Sequence, residues 1–113
     1  QLTSLDLSHC TALTKLYCYL NQLTSLDLSH CTALTELYCY SNQLTSLDIA
    51  PNNGALAKLD CSNNQLDAEA LNDLFTKLPD RSLSASGGRI IYFDNPGFSG
   101  CDFDIARRKN WLY

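Results

Sequence analysis

The chain has 113 residues and a formal net charge of −4, from 8 Lys and Arg against 12 Asp and Glu. One domain is the expectation for that length, and the acidic balance speaks against the basic face of a nucleic-acid binder. Leu contributes 21 residues and Cys six, while Val and Met are absent, which argues against an ordinary parallel sheet or sandwich, where β-branched residues lead. No apolar run approaches the ~18 residues of a membrane span. No charged-then-apolar start reads as a signal peptide, and a chain beginning at Gln1 is expected to be a processed or excised piece.

From the N-terminus the sequence repeats itself. QLTSLDLSHCTALTKLYCYLN (1–21) returns as QLTSLDLSHCTALTELYCYSN (22–42), changed only at Lys15/Glu36 and Leu20/Ser41. A third copy, QLTSLDIAPNNGALAKLDCSNN, occupies 43–64 with one extra residue, and a fourth starts at Gln65-Leu66 before departing. Each unit holds a shorter pattern, L-x-x-L-x-L-x-x-N/C, twice. It runs through Leu2, Leu5, Leu7, Cys10, then Leu13, Leu16, Cys18, Asn21, and so on to Leu56, Leu59, Cys61, Asn64. That pattern is the leucine-rich-repeat signature. Residues 1–66 resemble the short, nested leucine-rich repeats of bacteria, in which both halves of each coil carry the motif. The tail (Leu78-Pro79-Asp80-Arg81, Asn95-Pro96-Gly97, Cys101-Asp102, Ile105-Ala106, Lys109-Asn110-Trp111) is similar to segments that close such repeats in surface or secreted proteins of anaerobic bacteria. The resemblance implies an extracellular or cell-surface location.

Strand side chains alternate, so Leu5, Leu7, Leu16 and Cys18 point inward while Ser4, Asp6, Ser8, Lys15, Tyr17 and Tyr19 point outward. A half-coil of this length holds a strand and a turn but no helix. The fold class predicted is the α/β leucine-rich-repeat class: a right-handed, mostly parallel β solenoid with short strands on both sides of each coil. Like strands stack into two parallel ladders. Residues 1–66 supply three coils (1–21, 22–42, 43–64), and 67–113 an α/β C-terminal cap, all within one structural domain. In the cap, Asp67 is the predicted N-cap of a helix running through Ala70, Leu71, Leu74, Phe75 and Leu78 and stopped by Pro79. Ser84 to Gly88 reads as a loop, Arg89 to Asp94 as a strand added to a ladder and turned by Asn95-Pro96-Gly97, and Asp102 to Leu112 as a last short helix. Inward Asn21, Asn42 and Asn64 form one row bonding backbone groups of adjacent coils; Cys10, Cys31 and Asn52 form another. The N-terminal end carries no cap, so it is expected to pack on further repeats or to self-associate.

Five of the six Cys follow the repeat and read as buried thiols acting as small hydrophobes; no spacing suits zinc. Cys101 lies outside the rows near an expected helix start, where a thiol pKa falls; it reads as a buried tail residue, with a reactive thiol as the alternative. His9 and His30 adjoin Cys10 and Cys31, but neighbours in sequence point apart and nothing orients them, so they read as exposed turn residues. Asp6, Asp27 and Asp48 form an outward column read as a solvated face bonded to the flanking Ser4, Ser25 and Ser46. Arg107-Arg108-Lys109 reads as a solvated helix end. The functional lead is Tyr17, Tyr19, Tyr38 and Tyr40, two outward columns of two with Lys15, Glu36 and Lys58 alongside. Tyr gives large, rigid, amphipathic contact area at low entropic cost, although stacked aromatics also stabilise a sheet. Asp60 and Ser62 break the columns in the third coil, which predicts a local patch. The expectation is a non-enzymatic module without cofactor, metal or catalytic residues. Its predicted partner is a protein, contacted in recognition or adhesion; the alternatives are a glycan on the same patch, or a purely architectural role closing a longer array.

Overall fold

In the computed structural model, residues 2–50, 54–83 and 87–113 are described; Asn52 and positions 84–86 of the predicted loop lie outside them. Strands β1 (Lys15–Tyr17), β2 (Ser25–Leu28), β3 (Glu36–Tyr38), β4 (Ser46–Ile49) and β5 (Lys58–Asp60) come from the repeats. Helix α1 (Ala68–Lys77), strand β6 (Gly88–Ile91), helix α2 (Asp104–Arg107) and strand β7 (Trp111–Leu112) follow. One parallel sheet has the order β1-β3-β5-β6-β7 and the other is the pair β2-β4. Register follows the repeat: Leu16 sits beside Leu37, Leu37 beside Leu59, and Leu26 beside Leu47. The inward rows are dry: Leu23, Leu37, Leu44, Leu56, Leu66, Cys39 and Cys61 are fully buried.

Why the units bond to one another is visible at the Asn row. Asn64 is buried; its Oδ1 accepts from the Leu44 N–H at 3.0 Å, and its Nδ2 donates to the carbonyls of Cys39, Cys61 and Ser62 at 3.0–3.1 Å. Asn42 repeats the set with Leu23 N–H and the carbonyls of Cys18, Cys39 and Tyr40. Half-buried Asn21 repeats a part of it with Leu2, Cys18 and Tyr19. Each buried amide thereby satisfies a turn in its own unit and backbone groups of the preceding one, which a strand edge in an apolar interior requires.

The row has a fourth member outside the three predicted units. Asn95 accepts from Leu66 N–H and donates to Cys61, Tyr92 and Phe93 carbonyls. Ile90-x-Tyr92-x-x-Asn95 thus takes the place of Leu59-x-Cys61-x-x-Asn64, with α1 inserted between. The residue before each Asn of the row is left-handed: Leu20, Ser41, Asn63 and Asp94 have φ of 58°, 58°, 54° and 57°. Asn and Asp tolerate that region and Leu does not.

Helix α1 starts as predicted. The Asp67 carboxylate accepts from the Ala70 N–H at 2.8 Å, and Leu71, Leu74 and Phe75 are buried. Leu78, preceding Pro79, has ψ of 141°, as the steric demand of proline on its predecessor dictates. The Lys109 ammonium then donates to the carbonyls of Phe75, Thr76 and Leu78. Lys109 therefore closes the C-terminal end of α1, which corrects its reading as part of a solvated run.

Two further expectations are corrected. The span Asp102 to Leu112 is not one helix: α2 ends at Arg107, Asn110 turns with φ of 63°, and Trp111–Leu112 pairs with Gly88–Arg89 as β7. Trp111 is fully buried, its indole N–H donating to the Pro79 carbonyl at 2.8 Å. A Cβ on Gly88 would stand 2.5 Å from that ring, so only glycine fits there. The first half-unit, residues 4–7, forms no strand among the described elements. Just before it, the Leu2 carbonyl accepts from the Gln22 N–H of the second unit. Leu2 is 47% exposed there and Leu5 half-buried.

Candidate functional site

Strand alternation aims three columns outward from the five-stranded sheet. The first is Lys15, Glu36, Lys58, Arg89 and Leu112, in register from strand to strand. The second is Tyr17, Tyr38, Asp60 and Ile91. The third, just past the strands, is Tyr19, Tyr40 and Phe93, with buried Ser62 at the position between Tyr40 and Phe93, aligned by the bonds Leu20 N–H to Tyr40, Ser41 N–H to Ser62 and Asn63 N–H to Phe93.

The Tyr columns exist as pairs. Tyr17 and Tyr38 rings lie 4.9 Å apart at 50°, and Tyr19 and Tyr40 stack at 4.7 Å and 3°. Tyr17 is 59% exposed and Tyr19 37%, whereas Tyr38 and Tyr40 are half-buried between neighbouring strands. Their surroundings are charged and ordered. The Tyr38 hydroxyl donates to Glu36 at 2.7 Å, and Lys15 lies 3.6 Å from the other Glu36 oxygen. The hydrogen bond from Tyr38 holds the Glu36 carboxyl below its ordinary value, and the same bond pushes the Tyr38 phenol up to about 12. All the predicted site residues (Tyr17, Tyr19, Tyr38, Tyr40, Lys15, Glu36, Lys58) therefore share one face.

Asp60 and Ser62 do interrupt the Tyr columns, and the face continues past them. Beyond them, β6 carries it on with Arg89, Ile91 (39% exposed) and Phe93 (51% exposed). The signal in the sequence was the alternation in Ile90-Ile91-Tyr92-Phe93, where Ile90 and Tyr92 are buried and their neighbours are not. Asp60 itself is engaged: its carboxylate accepts from the N–H and the hydroxyl of Ser62. Two hollows flank β6. One of about 190 Å³ is lined by Tyr38, Lys58, Leu59, Asp60, Arg89 and Ile91. One of about 110 Å³ is wholly apolar, lined by Ile90, Ile91, Tyr92, Phe93, Phe98 and Tyr113. Lys58 and Arg89 stand side by side in register, and like charges at strand spacing repel by roughly 1 kcal/mol in water.

The other candidates resolve differently. Cys18, Cys39 and Cys61 are buried and free; burial pushes Cys18 up to about 11, Cys61 up to about 12 and Cys39 well above its ordinary value. Cys101 precedes α2 rather than starting it and is half-buried, and burial raises its thiol pKa, which speaks against the reactive-thiol alternative. His9 and His30 are exposed, and Cys31 is buried away from them. The aspartates of the β2-β4 face are bonded, but not to the serines expected. Asp6 and Asp27 accept from Ser8 and Ser29, two residues downstream, which lowers both carboxyl pKa values. Asp48 pairs with Lys77 of α1, which offsets its repulsion with Asp27 alongside. Among the described residues no group of His, Cys, Asp or Glu has the arrangement of a metal site.

The family model for leucine-rich repeats (two copies) matches residues 1–52. Those residues are similar to leucine-rich repeats. Such repeats commonly mediate protein–protein interaction and are typically non-enzymatic. No curated protein and no solved structure matches the chain. Among the described residues, no helix is long and apolar enough to cross a membrane.

Proposed function

We propose that the outward face of the five-stranded sheet binds a protein partner, and that the chain acts as a recognition or adhesion module rather than an enzyme. In this reading the repeat units stack as a right-handed solenoid, residues 67–113 close its C-terminal end, and the module works at a cell surface or after secretion. The observation that carries the reading is the pairing of four Tyr in two outward columns, continued across the sheet by Ile91 and Phe93. Tyr and other aromatics concentrate where partners bind, because they bring much contact area with few rotamers to freeze.

The test is a panel of purified extracellular proteins and glycans probed with the chain and with a Tyr17/Tyr19/Tyr38/Tyr40→Ser variant. A protein that binds the chain and loses at least ~10-fold affinity for the variant, about 1.4 kcal/mol, supports the reading. A partner bound equally by both overturns the assignment of the face. A response to glycans alone places a sugar on the Tyr columns instead, and silence throughout favours a purely architectural role.

A further inference from the structure

We propose that Lys58 and Arg89 form a carboxylate-binding subsite on this face, selecting a partner whose contacting segment carries an Asp or Glu beside an aromatic or aliphatic side chain. The inference rests on the proposed protein-binding face and names the chemistry that the face recognises. Lys58 and Arg89 are exposed neighbours in register on β5 and β6, in a chain whose net charge is −4. The nearby carboxylates already have partners. Glu36 takes the Tyr38 hydroxyl and Lys15, and Asp60 takes two bonds from Ser62. Neither Lys58 nor Arg89 forms an ion pair among the described residues. Lys58 is flanked by Glu36 on its other side, which offsets part of its charge; the repulsion with Arg89 that remains is relieved when a ligand carboxylate lies between the two. Arg89 offers the planar fork that meets a carboxylate with two parallel bonds, and Lys58 adds a point charge.

The hollow of about 190 Å³ between Tyr38, Lys58, Arg89 and Ile91 gives such a group a place. One strand period further along β6 lies the exposed apolar side chain of Ile91, about 7 Å from Arg89 at two residues' separation. The wholly apolar hollow beyond it is open to an aliphatic or aromatic side chain. An extended segment with an acid and an apolar residue two apart matches both positions. A dense polyanion fits worse, because Asp60 and Asp94 stand on the same face or at its turn.

A random peptide library displayed on phage, selected on the full chain, tests this. The expected result is enrichment of Asp or Glu two residues from an aromatic or aliphatic residue. Lys58→Ala with Arg89→Ala should weaken the selected peptides about tenfold, more at low salt than at high. Lys58→Glu with Arg89→Glu should turn the enrichment toward Lys and Arg. All four substitutions are exposed, so an unchanged thermal midpoint is expected and confirms intact folding. Enriched peptides without acidic preference, unchanged affinity in the Ala pair, or displacement of every peptide by heparin with tight heparin binding each overturn the subsite. The four-Tyr variant separates the two levels. Peptides lost there yet indifferent to charge overturn the subsite alone, whereas peptides still bound at full affinity overturn the binding face itself.

Discussion

Replacing Asn64 by Ala isolates what the Asn row contributes. In the folded protein Asn64 makes four hydrogen bonds and is 2% exposed. The truncation orphans the Leu44 N–H and weakens the pairing of the Cys39 and Cys61 carbonyls, all inside the apolar stack. A buried group left without a partner costs about 1–3 kcal/mol; the Leu44 N–H is that group, while the Cys39 and Cys61 carbonyls keep Asn42 and Asn95, so the expected loss is about 2–3 kcal/mol. Asn21→Ala is the internal control. Its Oδ1 accepts from exposed Leu2 at the outer end of the stack, where water replaces the amide, and the expected loss is about 1 kcal/mol. Urea unfolding of both variants at matched conditions reads the difference as a shift in midpoint at constant slope. Equal losses for the two, or a loss under ~1 kcal/mol for Asn64→Ala, refute the reasoning that burial of the amide sets its weight.

Three other outcomes are expected. Leu20→Asn relieves a left-handed Leu (φ 58°) that is 61% exposed and so gives up little burial; it should gain about 1 kcal/mol in urea unfolding, and no gain contradicts the strain. Tyr38 should ionise near 12 in a phenol titration, and Glu36→Gln should bring it down toward its ordinary value of 10.0. The Tyr38 pKa is raised in the folded state, so the bond's contribution to stability is complete below 10.0 and lost as pH rises through about 12; for Glu36, lowered on folding, it is present above 4.5 and lost as pH falls through the depressed value. An unmoved Tyr38 in the Glu36→Gln protein means that the hydrogen bond is not the cause. Under native conditions near neutral pH, iodoacetamide should spare Cys18, Cys39 and Cys61, whose thiols are buried and raised, and should reach half-buried Cys10 first. Early modification of Cys39 or Cys61, read by peptide mapping, contradicts their packing.

The sequence made the repeat legible because near-identical units place like residues in register, so the parallel ladders, the inward Leu and Cys rows and the Asn row follow from counting. Residues 4–7 form no strand among the described elements although Lys15–Tyr17 of the same unit does, a difference that the repeat pattern does not announce. The fourth row, Ile90-x-Tyr92-x-x-Asn95, was masked by the change from Leu and Cys to Ile and Tyr and by α1 lying between it and Asn64. The strand itself was legible in Arg89 to Asp94, but not which ladder it joins; its pairing with β5 sets Arg89 beside Lys58 and Ile91 beside Asp60 and so extends the face beyond the Tyr columns. Strand β7 is two residues long, too short for any periodicity; its pairing is set by Trp111 burying itself over Gly88. Lys109 is another case, since a cation that closes a helix more than 30 residues away carries no local signal.

The central claim is that the outward face of the β1-β3-β5-β6-β7 sheet is the binding surface. Amide chemical-shift mapping of the isotope-labelled chain, titrated with the panel protein that binds it tightest, tests that claim most directly. Shifts are expected to concentrate at Tyr17, Tyr38, Tyr40, Lys58, Arg89 and Phe93, with the β2-β4 face and α1 unmoved. Shifts centred on Asp27, Asp48 and α1, with the Tyr columns silent, would contradict it.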